Sequence, residues 1–307
     1  MIEEDWLEVA DNTEIYFKKW YNPNQQPKAI IQLAHGMVEH INRYDDFAKQ
    51  LVDMGFYVYG NDHRGHGKTG ERQGLLGFFA HKDGFSKASE DLLMMTRKIK
   101  ATYPSIPIIL FGHSMGSFLV RHYIQQHSLE IHGAILSGTG YFPSLQSRAG
   151  KFLASLQPAK EPSELMNWLA FGRYNKKIKD KRTKVDWLTR NETAVQDYER
   201  DPLAGFVPTA RFFYDLMSGL LVIQDKQRNQ SIRKDLPILL LSGDQDPVGQ
   251  YGSGVWKTAQ LYDQIGLNRV TTMLFEEGRH ELLFEINKHE VYRAIEGWIT
   301  DTLRIKV

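Results

Sequence analysis

Short runs of consecutive apolar residues, too brief for helices, alternate along this chain with stretches of helical spacing, and that alternation leaves few folds open. Lys28 to Ala34, Phe56 to Gly60, Pro107 to Gly112, Ile131 to Ser137, Pro237 to Ser242 and Val270 to Phe275 read as strands. Between the first two, Tyr44, Phe47, Leu51 and Met54 carry helical spacing over Ile41 to Met54. After a glycine-dense loop from Gly65 to Gly84, Phe85, Ala88, Leu92, Met95 and Ile99 form a stripe that fits a helix lying on a sheet. Helices are also expected at Ser114 to Gln126, near Val255 to Ile265, and along Val291, Ala294, Ile295, Trp298 and Leu303. Strands that are apolar nearly throughout imply a mainly parallel sheet covered on both faces. Trp6 to Ala10 and Glu14 to Trp20 flank the turn cluster Asp11-Asn12-Thr13, an antiparallel hairpin for one edge of that sheet.

The rhythm breaks from about Tyr141 to Ser231, where helical patterns (Leu165 to Phe171, Phe212 to Ile223) occur without a strand. An insertion between two strands of one sheet leaves and returns at the same end, so residues 141–231 read as a helical cap. Residues 1–140 and 232–307 form the α/β core. Composition excludes several functions. Lys plus Arg number 38 against 37 acids, a net charge of +1, too little for a nucleic-acid partner. Cysteine is absent, which removes disulfides, thiolate zinc sites and Cys nucleophiles. The acidic start and the lack of an apolar stretch near the ~20 residues of a membrane span point to a cytoplasmic protein.

The chemistry centres on Gly112-His113-Ser114-Met115-Gly116, a G-x-S-x-G run set between a strand and an apolar helix. That context makes the turn sharp and projects the serine. The bland account of Ser114 is a helix N-cap. A serine hydroxyl needs a base, and the base needs an acid to fix its tautomer. His280 and His289 lie beyond the acid candidates; His280 follows the strand Val270 to Phe275 through a short loop, whereas His289 falls in a helical stretch. His280 is therefore the base. Ile238 to Gly243 leads into Asp244-Gln245-Asp246-Pro247. Pro247 biases Asp246 toward extended backbone, so Asp246 is preferred as the acid and Asp244 reads as a turn former. The oxyanion donors are expected to be the Met115 amide, at a helix N-terminus, and the Met37 amide after Gly36.

Five segments together carry a family likeness: His35-Gly36-x-x-Glu39-His40, Asn61-Asp62-His63-Arg64-Gly65-His66-Gly67, the serine turn, Asp246-Pro247-Val248 and Arg279-His280-Glu281. They resemble the monoacylglycerol lipase and lysophospholipase group of α/β-hydrolases over roughly residues 5–140 and 232–305. The resemblance implies a mostly parallel eight-stranded sheet flanked by helices, with an inserted helical cap. It also implies cofactor-free cleavage of single-chain lipid esters through an acyl-enzyme. By position, Glu39, Arg43 and His113 resemble residues lining the polar end of the pocket in those lipases. From Tyr141 onward the sequence does not look like the animal lipase, and this leaves substrate choice open. A general short-chain carboxylesterase and a catalytically silent lipid-binding protein are the alternatives.

Three competing signals carry less. Gly65-His66-Gly67-Lys68-Thr69-Gly70 fits G-x-G-x-x-G, but Gly74 and Gly77 interrupt the helix a dinucleotide site needs. Histidines 35, 40, 63 and 66 lack the i, i+4 spacing of a helical zinc pair, so no metal is expected. Arg173 to Lys184 holds seven basic residues and Asp180. Such a run is ordinarily a solvated face; rimming the pocket mouth, it would suit transient contact of the cap with an anionic membrane surface. No obligate protein partner is expected. Phe152, Leu153, Leu165, Trp168, Leu169, Phe206, Phe212 and Phe213 either seal the cap or line the pocket.

Overall fold

The computed structural model describes residues 1–179 and 181–305. Its centre is an eight-stranded sheet in the order β1-β2-β4-β3-β5-β6-β7-β8, formed by β1 (Ile2–Glu8), β2 (Glu14–Trp20), β3 (Ile30–Ala34), β4 (Tyr57–Asn61), β5 (Ile108–His113), β6 (Gly133–Ser137), β7 (Ile238–Gly243) and β8 (Val270–Phe275). β1 and β2 pair antiparallel, as do β2 and β4; every other pairing is parallel. Strands β3 to β7 are buried throughout. Side chains alternate across them. Ile30, Ile108, Leu110, Leu136 and Leu240 join one core; Ile31, Ile109, Phe111, Ile135 and Leu241 join the other.

Helices α1 (Asp45–Asp53) and α11 (Lys288–Leu303) cover the second of these faces; α3 (Gly84–Thr102), α4 (Met115–His127) and α10 (Ser253–Asp263) cover the first. Between β6 and β7 the chain forms α5 (Ser144–Ser155), α6 (Glu164–Phe171), α7 (Glu192–Arg200), α8 (Ala210–Ile223) and the short α9 (Lys226–Asn229). Helix α8 does not stay over the end of the sheet. Its Phe212, Phe213, Leu216 and Leu220 enter the first core and it packs on α3 and α4, with Gly219 against the Phe85 ring.

Three boundaries differ from the sequence expectation, each for a local reason. The first strand is Ile2–Glu8 rather than Trp6 to Ala10, because the acidic start is an edge strand paired with lysines: Glu3 lies opposite Lys19 and Glu4 opposite Lys18. Opposite charges across a strand pair favour that register. The helix expected from Ile41 opens as a 3₁₀ turn, Ile41–Tyr44, before α1. The glycine-dense loop contains a seven-residue helix, α2 (Gly67–Gln73), which Gly74 ends at φ 72°.

Gly116 brings α4 against β3: a Cβ there would lie 2.0 Å from the Ala34 carbonyl oxygen. Gly116→Ala is accordingly expected to lower the unfolding free energy by about 1–3 kcal/mol, the usual cost of overpacking. An unchanged urea midpoint would mean that α4 can withdraw from the sheet freely.

Candidate active site

The carboxyl ends of the parallel strands, where open α/β sheets form their crevices, carry all three residues of the expected catalytic set. Ser114 joins β5 to α4 with φ 50° and ψ −118°, a backbone state that a non-glycine residue keeps only when its surroundings enforce it. The enforcement is visible. Ser114 N–H donates to Ser137 O at 2.8 Å, and Ser117 Oγ donates to Ser114 O at 2.6 Å. A Cβ on Gly112 would stand 2.4 Å from Gly116 O, so the turn closes only with glycine on both sides.

His280 leaves the loop after β8. Its Nδ1 lies 3.0 Å from Asp246 Oδ1 and its Nε2 2.8 Å from Ser114 Oγ. A carboxylate can only accept, so the imidazole proton sits on Nδ1 and Nε2 is left to receive the serine hydroxyl. Asp246 is fully buried; its Oδ1 also accepts Val248 N–H at 2.8 Å and its Oδ2 the Ser242 hydroxyl at 3.2 Å. Asp244 is half-buried and accepts the Gln245 side-chain amide instead. His289 is exposed on α11. Met115 is the first residue of α4, so no intrahelical carbonyl reaches its amide.

A cavity of about 580 Å³ opens above Ser114, lined by Gly36, Met37, Glu39, His113, Ser114, His280 and Glu281 from the core and by Trp168, Phe171, Val185, Trp187, Leu188 and Phe206 from the insertion. Arg43, expected beside Glu39 at the pocket, does not line it. Its guanidinium lies behind, hydrogen-bonded to Glu39 and, at 2.7 and 2.8 Å, to both oxygens of Glu281. The rings of Phe284 and Tyr198 enclose it at 4.5 and 4.8 Å. Two buried carboxylates need a cation, and this one is planar enough to bridge both. Tyr44 completes the set by donating to Glu39 at 2.8 Å.

Burial works against the protonated form of His280, but the Asp246 carboxylate and its hydrogen bond, with Glu281 and Glu39 beyond, outweigh it and raise the imidazole above the ordinary 6.5. His113, 4.8 Å from His280 between ring centroids, goes the other way. Burial and then the neighbouring imidazole push it down to about 3.

The remaining sequence signals resolve into scaffolding. His35 and His63 pack with ring centroids 4.1 Å apart and planes tilted by 43°, and His66 lies 5.4 Å from His35. His35 Nε2 accepts His63 N–H at 3.0 Å, while its Nδ1 bonds Gly36 O at 2.8 Å. Burial holds His63 down at about 3 and His66 at about 4. No group of three His, Cys, Asp or Glu residues among the described residues could hold a metal. The glycines of the dinucleotide-like segment face protein atoms: a Cβ on Gly65 would meet Phe78 N at 2.5 Å, and one on Gly67 the Asp62 carboxylate at 2.2 Å. No room remains there for a pyrophosphate. Phe212 and Phe213 are fully buried, Trp168 and Phe206 line the cavity, and Phe152, Leu153, Leu165 and Leu169 are exposed. Sequence reasoning quoted Glu281 within Arg279-His280-Glu281 but gave it no role at the site. Trp187, Tyr198 and Leu188 it could not find, since no periodic pattern marks them.

The strand order, the serine turn and the site at the strand ends define an α/β-hydrolase. The profile of the family described as Hydrolase_4, "Serine aminopeptidase, S33", matches residues 25–287, and the chain belongs to that family. It is 26% identical over 300 residues to a monoglyceride lipase homolog of Monkeypox virus, covering 96% of this chain and 97% of that one. With the Rattus norvegicus monoglyceride lipase it shares 28% over 304 residues, 96% of this chain and 90% of that one. A thermostable carboxyl esterase from Bacillus coagulans, solved in complex with glycerol, superposes with a TM-score of 0.89 at 29% identity, covering 98% of this chain and 99% of that one.

The electrostatics give a direct expectation. In an NMR pH titration His280 should protonate above pH 6.5 and His113 should stay neutral down to about pH 4. Asp246→Asn should move the His280 transition to lower pH, because the first counter-charge is gone while burial remains. A His280 midpoint unmoved by that substitution would contradict the assignment of Asp246 as its partner.

Proposed function

We propose that the protein is a serine ester hydrolase acting on neutral single-chain lipid esters, monoacylglycerol before lysophospholipid. In this reading Ser114 Oγ attacks the acyl carbonyl while His280 Nε2 takes its proton, and the amides of Met115 and Met37 stabilise the oxyanion. His280 then returns the proton to the leaving alcohol. Water, activated by the same imidazole, releases the fatty acid. Asp246 holds the imidazole and favours its protonated form in the transition states. The observation that carries the reading is the unbroken hydrogen-bonded line Asp246–His280–Ser114, opening on one large cavity.

Substrate class follows from what lines that cavity. Trp168, Phe171, Val185, Trp187 and Phe206 offer an apolar surface suited to an acyl chain. Glu39 and Glu281 line the cavity with the guanidinium of Arg43 behind them, and the lining adds Glu164 and Lys184, three carboxylates against two cations. That excess of negative charge favours a neutral alcohol and opposes an anionic phosphate headgroup. The family's peptidase description and the esterase and lipase names of its relatives share the same chemistry of acyl transfer; the apolar lining favours the lipid ester.

The cap is proposed to rest on an anionic lipid surface. Phe152, Leu156, Leu165 and Trp168 on and beside α5 and α6 are exposed, Trp168 by 60%, although each is large and apolar. Trp168 and Lys184 both line the cavity. Arg173, Lys176, Lys177, Lys179, Lys181 and Lys184 are exposed along the segment that follows α6, and lysines of this kind contribute about 1 kcal/mol each against anionic headgroups. Asp180 lies outside the described residues. Among the described residues no helix is long and apolar enough to cross a membrane.

An activated fluorophosphonate should label the protein and fail to label Ser114→Ala; labelling that persisted would sink the assignment. Asp246→Asn should cost ~10⁴ in kcat, the scale of the corresponding change in a serine protease, and Asp244→Asn far less. Specificity constants across esters of two to sixteen carbons should rise with chain length, and monoacylglycerol should exceed lysophosphatidic acid of the same chain. A maximum at the shortest ester would make the protein a general carboxylesterase. Vesicles containing phosphatidylglycerol should retain the protein at low salt and release Trp168→Ser with Lys184→Glu; equal retention would remove the surface contact.

A further inference from the structure

The loop that carries His280 is held less by the sheet it follows than by a stretch of the insertion far away in sequence. Residues 186–190, just before α7, lie along it. Glu281 N–H donates to Leu188 O at 2.7 Å, and His280 N–H faces Trp187 O at 3.4 Å. Arg279 Nη1 donates to the carbonyls of Asp186 and Thr189 at 2.6 and 3.1 Å, and the Thr189 hydroxyl donates to Phe284 O at 3.2 Å.

The knot of this strap is Glu285, whose carboxylate is fully buried. Its Oε1 accepts Arg190 N–H at 3.1 Å and Arg279 N–H at 3.0 Å; its Oε2 accepts Arg190 Nε at 2.9 Å and Ile286 N–H at 3.1 Å. Four donors use the acceptor capacity of a carboxylate fully. Arg190 then spends its other nitrogens on Glu277 and Asn287, both at 3.0 Å. One buried group therefore fixes the backbone on both sides of His280 to the insertion. The Trp187 ring, carried by the strap, lies 5.1 Å from the imidazole, and His113 of the core lies 4.8 Å from it.

We propose that the Arg190–Glu285 strap is a positioning device for His280: residues 186–190 are a fixed part of the active site, and through them the insertion sets the imidazole against Ser114 and Asp246. This rests on His280 being the base. The backbone amides of 280 and 281 have their acceptors on the strap, so the loop cannot keep its path if the strap departs without leaving buried donors unsatisfied. Movement of the cap to admit substrate is thereby confined to the parts beyond the strap, α5 and α6 among them.

Glu285→Gln and Arg190→Met test the strap, with Arg279→Met as the milder variant because it leaves the Glu285 carboxylate bonded to Arg190. Each is compared with wild type on a soluble short-chain ester, which needs no cap contact with lipid. The expected result is a fall in kcat of about 10- to 100-fold, the scale at which a misplaced reacting group is felt, with KM within about 2-fold. The acid limb of kcat/KM should move to lower pH, and the downfield Nδ1 proton signal of His280 should shift or vanish, since both depend on the contact with Asp246. Arg190→Lys should recover part of kcat. If kcat, the acid limb and the proton signal all stay at wild-type values while only the melting temperature falls, the strap is a structural fastening and the proposal fails. Failure of the base assignment would look different: His280→Ala would then keep the wild-type rate on the same ester.

Discussion

The arrangement depends on how closely one helix approaches the sheet. α4 can begin where it does only because Gly112 presents no Cβ to the Gly116 backbone and Gly116 none to the Ala34 carbonyl. That closeness forces the intervening residue to turn at positive φ, which lifts the Ser114 side chain out of the strand and leaves the Met115 amide at an uncapped helix start. A strained residue persists where its surroundings over-determine it, and here they do so through Ser137 O, Ser117 Oγ and two glycines. The proposed nucleophile and one proposed oxyanion donor are thus two consequences of a single packing constraint.

Buried charges do the long-range fastening. Arg64 joins Asp11 of the opening hairpin to Asp91 of α3, Arg43 joins Glu39 after β3 to Glu281 after β8, and Arg190 of the insertion joins Glu285. In each case a planar guanidinium meets two or more acceptors, which is what makes burial of the ions tolerable. The same placement shapes the field at the site. Glu39 and Glu281 lie near enough to raise His280, whereas His113 and the packed histidines behind it are forced neutral by burial. The His280 imidazole, which takes up its second proton more readily than a free one, stands among imidazoles held neutral.

Legibility in the sequence followed the range of the forces involved. The apolar runs of β3 to β7 were readable as strands because burial on both faces leaves no alternation to blur them. The serine turn was readable because its glycines answer a backbone requirement five residues wide. The edge strand was misplaced, since Ile2–Glu8 is stabilised by partners across the pair, Lys18 and Lys19, and not by its own pattern. α2 was hidden by the glycines at its ends. Arg43 was given a place at the pocket by family resemblance, which matches positions and says nothing of which side chain stands in front.

The insertion resisted for a deeper reason. Trp187, Leu188 and Arg190 are set by contacts with residues more than ninety positions away, and their segment has no helical or strand period of its own. α8 was readable as a helix from Phe212 to Ile223, but its apolar side chains are consistent with sealing either a cap or the core, and only α3 and α4 decide between them. Residues that build the core turn answer to local geometry and are therefore narrowly constrained in type. Residues that face the cavity answer mainly to shape and polarity supplied by distant partners, so many sequences can serve. The part of the chain that walls the cavity from the insertion is for that reason the part in which sequence alone carries least.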